Sequence, residues 1–320
     1  YDLKFGDITD WNSFLSFIKN SDFSLIENYE EAANLIDLDN LINLHALIIC
    51  TSYWSWGWGV SAYKEKNSDD RWKWTIWDMD RAFTLVNWNG FTDINDTTGL
   101  EQPNIIPYQL LKNDQFKYNY INRISDFYNT LFKPENLIEK IDSIKNIIKN
   151  DIHHESSRWG SDTTIWSENI DLIKEFAINR PNKVKEQLTD YFSLGEQAEV
   201  IIENVIGGQI RLNSISIKNF PWNGKYFKNI PIEIEAIPNP GYVFKEWESE
   251  QINDNPRKMT LESDINYIDA IFVPEDINHE LKIVTPFANV NDKHHPLVFK
   301  YHIKNNLRMN NEPFYGNLYV

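Results

Sequence analysis

The sequence predicts an α+β chain, mostly helical at first and then built from small antiparallel β segments. Apolar residues recur at helical spacing through most of residues 1–193. Beyond Leu194-Gly195 short alternating runs separated by turn residues take over. One aromatic alternating run, Trp72-Lys73-Trp74-Thr75-Ile76, interrupts the helical part as a lone β element. With 320 residues and 42% hydrophobic content, the chain can bury a sizeable core and form more than one domain.

Charge and cysteine content narrow the function classes. Thirty-one Lys+Arg against 47 Asp+Glu leave a net charge of −16, which excludes broad phosphate-backbone binding and makes nucleic acid an unexpected partner. The single cysteine, Cys50, rules out an internal disulfide framework and a cysteine-rich zinc site, and its place in the apolar run Leu44–Cys50 marks it as a small core residue. No apolar stretch approaches the roughly 20 residues that span a bilayer, so no membrane span is expected. The start at Tyr1, with neither an initiator Met nor a signal-peptide pattern, reads as a start inside a longer chain.

In chain order, Asp10 is expected to cap a helix that buries Trp11, Phe14, Leu15 and Ile18. Asp37 is expected to cap a second, burying Leu38, Leu41, Ile42, His45, Ile48 and Ile49, with His45 a core histidine. A hairpin with solvated Lys64, Lys66 and Arg71 leads into the aromatic strand, which ends in Trp77-Asp78-Met79-Asp80. A strand sends alternate side chains to one face, so Asp78 and Asp80 are expected to point the same way, where two carboxylates can hold a divalent metal. Arg81, beside the pair, is placed for a phosphate.

The stretch from about Asn87 to Pro107, rich in Asn, Asp, Thr and Gly, reads as a functional loop. Helical patterns follow at 114–132, 134–152 and 166–179, with Pro181 starting a last turn through Leu188 to Phe192. His153-His154-Glu155 lacks the spacing that puts two imidazoles on one helical face, and is expected to be a solvated helix end. Strands are expected at Ala198–Val205, Gln209–Leu212, Ile230–Ile237, Tyr242–Trp247 and Tyr267–Val273, with turns at Gly207-Gly208, Trp222-Asn223-Gly224 and Pro238-Asn239-Pro240-Gly241. After Pro274-Glu275-Asp276, Leu281–Ile283 and Leu297–His302 suggest the start of a further β segment. The expected domains are therefore 1–193, 194–275 and 276–320.

The ordered motifs Gly6-Asp7-Ile8-Thr9-Asp10-Trp11, Asp37-Leu38-Asp39-Asn40, Trp72 through Phe83, and Arg180-Pro181-Asn182-Lys183-Val184 through Gln187-Leu188-Tyr191-Phe192 resemble the C-terminal half of the spore coat protein H (CotH) kinase family. These are atypical protein kinases, and the resemblance covers about 1–193. The segments Phe220–Phe227 and Gly241–Trp247 are similar to repeat-like β modules that follow such regions in extracellular bacterial proteins.

The resemblance implies Mg²⁺ and ATP as cofactors, Asp78 on the metal against the β and γ phosphates with Asp80 as its helper, and Arg81 and Trp77 as cofactor contacts. It implies transfer to Ser/Thr of exported or spore-coat proteins, and an extracellular, cell-surface or spore-coat location. One departure stands out: where the family carries Asn-x-Asp-Trp, this chain has Thr51-Ser52-Tyr53-Trp54, so Tyr53 takes the place of the catalytic-loop Asp, and no Asn follows at the metal position. A phenol ordinarily gives up its proton only at about pH 10, so it replaces a carboxylate poorly in orienting a hydroxyl. The family's N-terminal half, with the nucleotide-clamping Lys and its acidic partner, is expected to lie upstream of Tyr1 or not to exist, so this chain alone is expected to be inactive and its parent to be either a divergent kinase or a pseudokinase.

The alternative is a non-catalytic surface or coat scaffold, or a glycan-binding adhesion protein. Twelve tryptophans invite it, since exposed aromatic planes stack on sugar rings. Trp72 and Trp74 are expected to pack the core, whereas Trp56 and Trp58, among glycines, are the candidates for exposed contacts; in the β segments these are Trp222, Tyr226 and Trp247.

Overall fold

The computed structural model describes residues 6–65, 70–95, 104–160, 162–248 and 251–275. The chain divides after Val273, and of the unit beyond it only Pro274 and Glu275 are described; Lys66, Asp276 and the expected strands at 281–283 and 297–302 lie outside the described residues.

Ten helices among the described residues carry the first part. They are α1 (Thr9–Asn20), α2 (Ile26–Leu35), α3 (Leu38–Thr51), the single turn α4 (Trp56–Gly59), α5 (Gly90–Asn95), α6 (Ile105–Leu110), α7 (Asp114–Asn129), α8 (Pro134–Ile148), α9 (Ile152–Trp159) and α10 (Thr163–Phe192). A two-stranded antiparallel hairpin, β1 (Val60–Tyr63) and β2 (Lys73–Ile76), sits among them, paired from Val60↔Ile76 to Tyr63↔Lys73.

Local chemistry explains most boundaries. The Asp37 carboxylate accepts the Asn40 amide at the start of α3, satisfying one of the donors that a helix N-terminus leaves free. Asp10, expected to cap α1, lies inside its first turn instead, and there its charge faces the positive helix end. α10 runs unbroken through Pro181, where a separate last turn was expected to start. A proline removes one intrahelical bond and strains the turn before it, but the neighbouring Arg180 and Gln187 anchor this helix from both sides of the ring. The stretch expected to be a loop between Asn87 and Pro107 contains α5 and the start of α6, whose residues Phe91, Ile94, Ile105 and Ile106 are buried. α2 and α9 carried no recognised signal.

Eleven strands are seen among the described residues. Those after α10 are β3 (Gln197–Ile202), β4 (Gly208–Leu212), β5 (Ile215–Ile217), β6 (Trp222–Phe227), β7 (Ile232–Pro238), β8 (Tyr242–Trp247), β9 (Arg257–Met259), β10 (Ile265–Tyr267) and β11 (Ala270–Pro274). They form sheets ordered β10-β3-β6, β5-β4-β7-β9 and β11-β8. Burial alternates along β3, β4 and β7, so every second side chain (Ala198, Val200, Ile202; Ile210, Leu212; Ile232, Ile234, Ala236) enters a shared core. β3 and β6, β4 and β5, β4 and β7, and β7 and β9 pair antiparallel, whereas β10 and β3 run parallel.

Two expectations fail here. Trp222-Asn223-Gly224 is not a turn but the start of β6: a Cβ at Gly224 would lie 2.5 Å from the Trp222 ring, so this glycine marks a close approach within a strand. The run Tyr267–Val273 is two strands, β10 and β11, on different sheets.

Helix α7 serves both parts. Its apolar side chains Phe116, Tyr120, Ile121 and Ile124 enter the helical core. Its polar ones, Asn122, Asp126 and Asn129, recur at helical spacing and bond to the β segments. The Asp126 carboxylate accepts from the Ser214 amide (2.9 Å), the Ser214 hydroxyl and the Tyr226 hydroxyl (2.8 Å), with the Asn213 amide at 3.4 Å. Asn129 accepts from the Lys225 amide (3.0 Å) and donates to the Lys225 carbonyl (2.9 Å), so a side chain completes the hydrogen bonding of strand β6 at that residue. Asn122 donates to the Pro231 carbonyl at 2.8 Å. Phe227 and Ile230 reach across and join the helical core.

Candidate functional site

The aromatic strand and the segment after it are held by side chains reaching from three helices. Asn40, in the first turn of α3, grips β2: its amide oxygen accepts the Trp74 N–H (2.6 Å) and its amide nitrogen donates to the Trp74 carbonyl (3.1 Å). Trp72 exchanges backbone bonds with Leu35 and Asp37 at the α2–α3 junction. Trp74 is buried, and Trp72 packs edge-on against Trp11 at 4.8 Å, so both serve the core as expected.

β2 ends at Ile76, short of the acidic pair, and this corrects the expected geometry. Asp78 lies in left-handed backbone (φ 55°, ψ 50°), and Asp80 belongs to a short 3₁₀ turn, Met79–Arg81. The two carboxylates are therefore not successive members of one strand face, and strand alternation does not align them. Both are exposed. No described residue bonds to the Asp78 carboxylate, whereas Asp80 lies 3.9 Å from Arg81, whose guanidinium stacks over the Trp54 ring at 5.1 Å from its centre.

Tyr53 braces this turn from beneath. Only 1% exposed, its hydroxyl lies 3.1 Å from the Trp77 carbonyl and 3.0 Å from the Asp78 carbonyl and donates its one proton to that pair. The Trp77 amide donates to the Gly59 carbonyl at 2.9 Å. Gly59 is required by space: a Cβ there would lie 1.9 Å from the Tyr53 hydroxyl and 2.6 Å from the Trp77 carbonyl.

Downstream, the Phe83 amide donates to Thr51 (2.8 Å) and the Ser52 hydroxyl to the Leu85 carbonyl (2.6 Å). The deepest contact is Arg180, 1% exposed, which donates to the carbonyls of Ile49, Val86 and Trp88, the last at 2.8 Å. Burial pulls its guanidinium down to about 10, so it stays charged at neutral pH, and the negative C-terminal end of α3 at Ile49 suits that charge. Gln187 adds a bond to the Asn87 carbonyl at 3.0 Å. Sequence reasoning gave Tyr53 a different role and gave Arg180 none, because these contacts span 24 to 131 positions along the chain.

The remaining candidates separate clearly. Trp77 is 57% exposed and Trp58 89%, whereas Trp56, expected to be exposed, is buried edge-on against His45. Tyr226 and Trp247 are core residues and Trp222 packs on that core, so the expected sugar-stacking surface of the β segments does not form. Burial pulls His45 down to about 4, leaving it neutral at physiological pH, and pushes the Cys50 thiol up to about 12, so neither offers a reactive group. His153 and His154 lie side by side on exposed α9, their rings tilted by 41°. Among the described residues no cluster of three or more His, Cys, Asp or Glu can hold a metal ion.

Magnesium does not require such a cage. It keeps several waters and is held at nucleotide sites by one or two carboxylates together with substrate phosphates. An open, unpartnered Asp78 with Asp80 nearby in the chain fits that demand, and does not fit tight capture of a free ion. Trp77 and Arg81 lie beside the pair in the chain, but Arg81 is already engaged by Asp80 and Trp54.

A family model described as CotH kinase protein matches residues 2–184, more than half of the chain and including the whole segment from Asn40 to Arg180. No curated protein and no solved structure matches the sequence. Among the described residues no helix is long and apolar enough to cross a membrane.

Proposed function

The chain belongs to the CotH kinase family, and from that premise we propose that residues 6–192 form the metal–nucleotide side of a Mg-ATP-dependent protein kinase acting on Ser/Thr of exported or coat proteins. The observation that carries the proposal is Asp78: a solvent-facing carboxylate with no described partner, on backbone gripped by Asn40, Tyr53, Ser52 and Arg180. Unpartnered charge on a rigid mount suits a metal whose other ligands arrive with the substrate.

Mg²⁺, when bound, neutralises charge on the β and γ phosphates. Asp78 would hold it, with Asp80 assisting, and Arg81 would reach a phosphate oxygen on leaving Asp80. Trp77 would offer an exposed indole beside the nucleotide. Phosphoryl transfer also needs a base near the acceptor hydroxyl, and the buried, donating Tyr53 does not supply one. The glycan contacts expected on the β segments lose their support, since Tyr226 and Trp247 are interior, and the second reading that stands is a non-catalytic surface or coat scaffold.

Calorimetry with Mn²⁺-ATP and Mg²⁺-ATP tests the proposal on the 320-residue chain. Metal-dependent binding that Asp78→Ala abolishes is the expected result. Binding that is unchanged in Asp78→Ala removes Asp78 from the site, and the absence of binding in wild type refutes the nucleotide assignment for this chain.

A further inference from the structure

We infer that Tyr53 is a positioning residue for Asp78, acting through backbone rather than as a base; for its effect on ligand binding the inference rests on the nucleotide reading above. The two carbonyls that share its hydroxyl belong to the peptide planes on either side of the Asp78 Cα. The Trp77 carbonyl sets the plane before it, hence φ, and the Asp78 carbonyl sets the plane after it, hence ψ. Successive carbonyls point the same way only in helical backbone and point opposite ways in a strand. One hydroxyl touching both therefore selects a curled conformation at Asp78, as its φ of 55° and ψ of 50° show.

Left-handed backbone is disfavoured for residues with a Cβ, though less so for Asp than for most. Without a restraint, the turn would relax toward extended backbone, continuing β2 and swinging the carboxylate to a new direction. Tyr53 is the right group for the restraint. It is buried, its backbone amide is tied to the Ile48 carbonyl at 3.0 Å, and Gly59 leaves the gap its hydroxyl occupies. A carboxylate at position 53 could not play this part, because it would meet two carbonyl oxygens with no proton to donate. The departure at position 53 thus exchanges a residue that faces an acceptor for one that fixes the metal-holding Asp78.

The test is Tyr53→Phe, which keeps the ring and removes only the hydroxyl. In the ligand-free chain, amide hydrogen exchange at Trp77 and Ala82, which donate to Gly59 and Met79, is expected to accelerate about fivefold to tenfold while α7 and α10 are unchanged. Mn²⁺-ATP binding is expected to weaken by a similar factor, since the hydroxyl holds Asp78 in place. Unchanged exchange at Trp77 and Ala82 overturns the inference whether or not nucleotide binds, as does, where wild type binds, unchanged Mn²⁺-ATP binding in Tyr53→Phe. Failure of wild type to bind, with the exchange change present, leaves the clamp standing and rejects only the nucleotide assignment.

Discussion

Asp126→Asn isolates the one buried carboxylate that joins α7 to the β segments. Four donor atoms around it favour the charged form, but complete burial outweighs them and pushes its carboxyl up to about 6 from an ordinary 3.8. Between those two values the folded chain holds a proton that the unfolded chain has released, so folding stability falls as pH rises through this window. The contribution is complete below the unfolded value and is lost as pH climbs past about 6. Worked through, the wild type loses on the order of 1 kcal/mol from this group between pH 5 and 7.5, and roughly twice that or more across the whole transition.

Asparagine has nearly the same shape and no charge to lose; its oxygen can accept from Ser214 and its amide can donate to the Tyr226 hydroxyl. Urea unfolding of both proteins at pH 5 and 7.5 reads the difference, with all other titrating groups cancelling. The stability of Asp126→Asn relative to wild type is expected to rise by on the order of 1 kcal/mol over that interval. A constant difference refutes the reasoning, and is what four winning donors would give, since a carboxyl held at or below its ordinary range has already released its proton at pH 5.

Two further substitutions test the other buried polar contacts. Arg180→Met strands the Ile49, Val86 and Trp88 carbonyls and is expected to cost about 3–5 kcal/mol in urea unfolding, with Arg180→Lys, which keeps a charge and three donors, costing clearly less. Asn129→Leu removes both bonds to Lys225 and is expected to cost about 1–3 kcal/mol, with faster exchange of the Lys225 amide as its local signature.

The α+β class was legible because burial follows period. Leu41, Ile42, His45, Ile48 and Ile49 on α3 and Ile232, Ile234 and Ala236 on β7 are buried at the spacing their sequence displays. The errors came where tertiary contacts override local signals. Pro181 reads as a start, yet the flanking anchors carry α10 through it; Asn223-Gly224 reads as a turn, yet the glycine makes room for Trp222 in a strand. The acidic pair was visible as a motif, but its geometry depends on where β2 stops, and that is set by Tyr53 and Gly59 from a distant part of the chain. Asp126 did leave a trace: Asn122, Asp126 and Asn129 form a polar stripe at helical spacing on a helix otherwise rich in apolar residues. Such a stripe on a buried helix signals a second packing partner.

That stripe also bears on how the β segments were acquired. A module exchanged freely between proteins, like a bead on a string, would meet its host through a neutral linker and change nothing in the host's interior. Here the host helix supplies an acid matched to two hydroxyls and an amide matched to one residue of backbone, and the β segments return Phe227 and Ile230 to the host's core. Replacing the β segments by an unrelated module would strand a carboxylate in an apolar setting. The two parts are thus fitted to each other residue by residue: a relative that keeps Asp126 is expected to keep hydroxyls at positions 214 and 226.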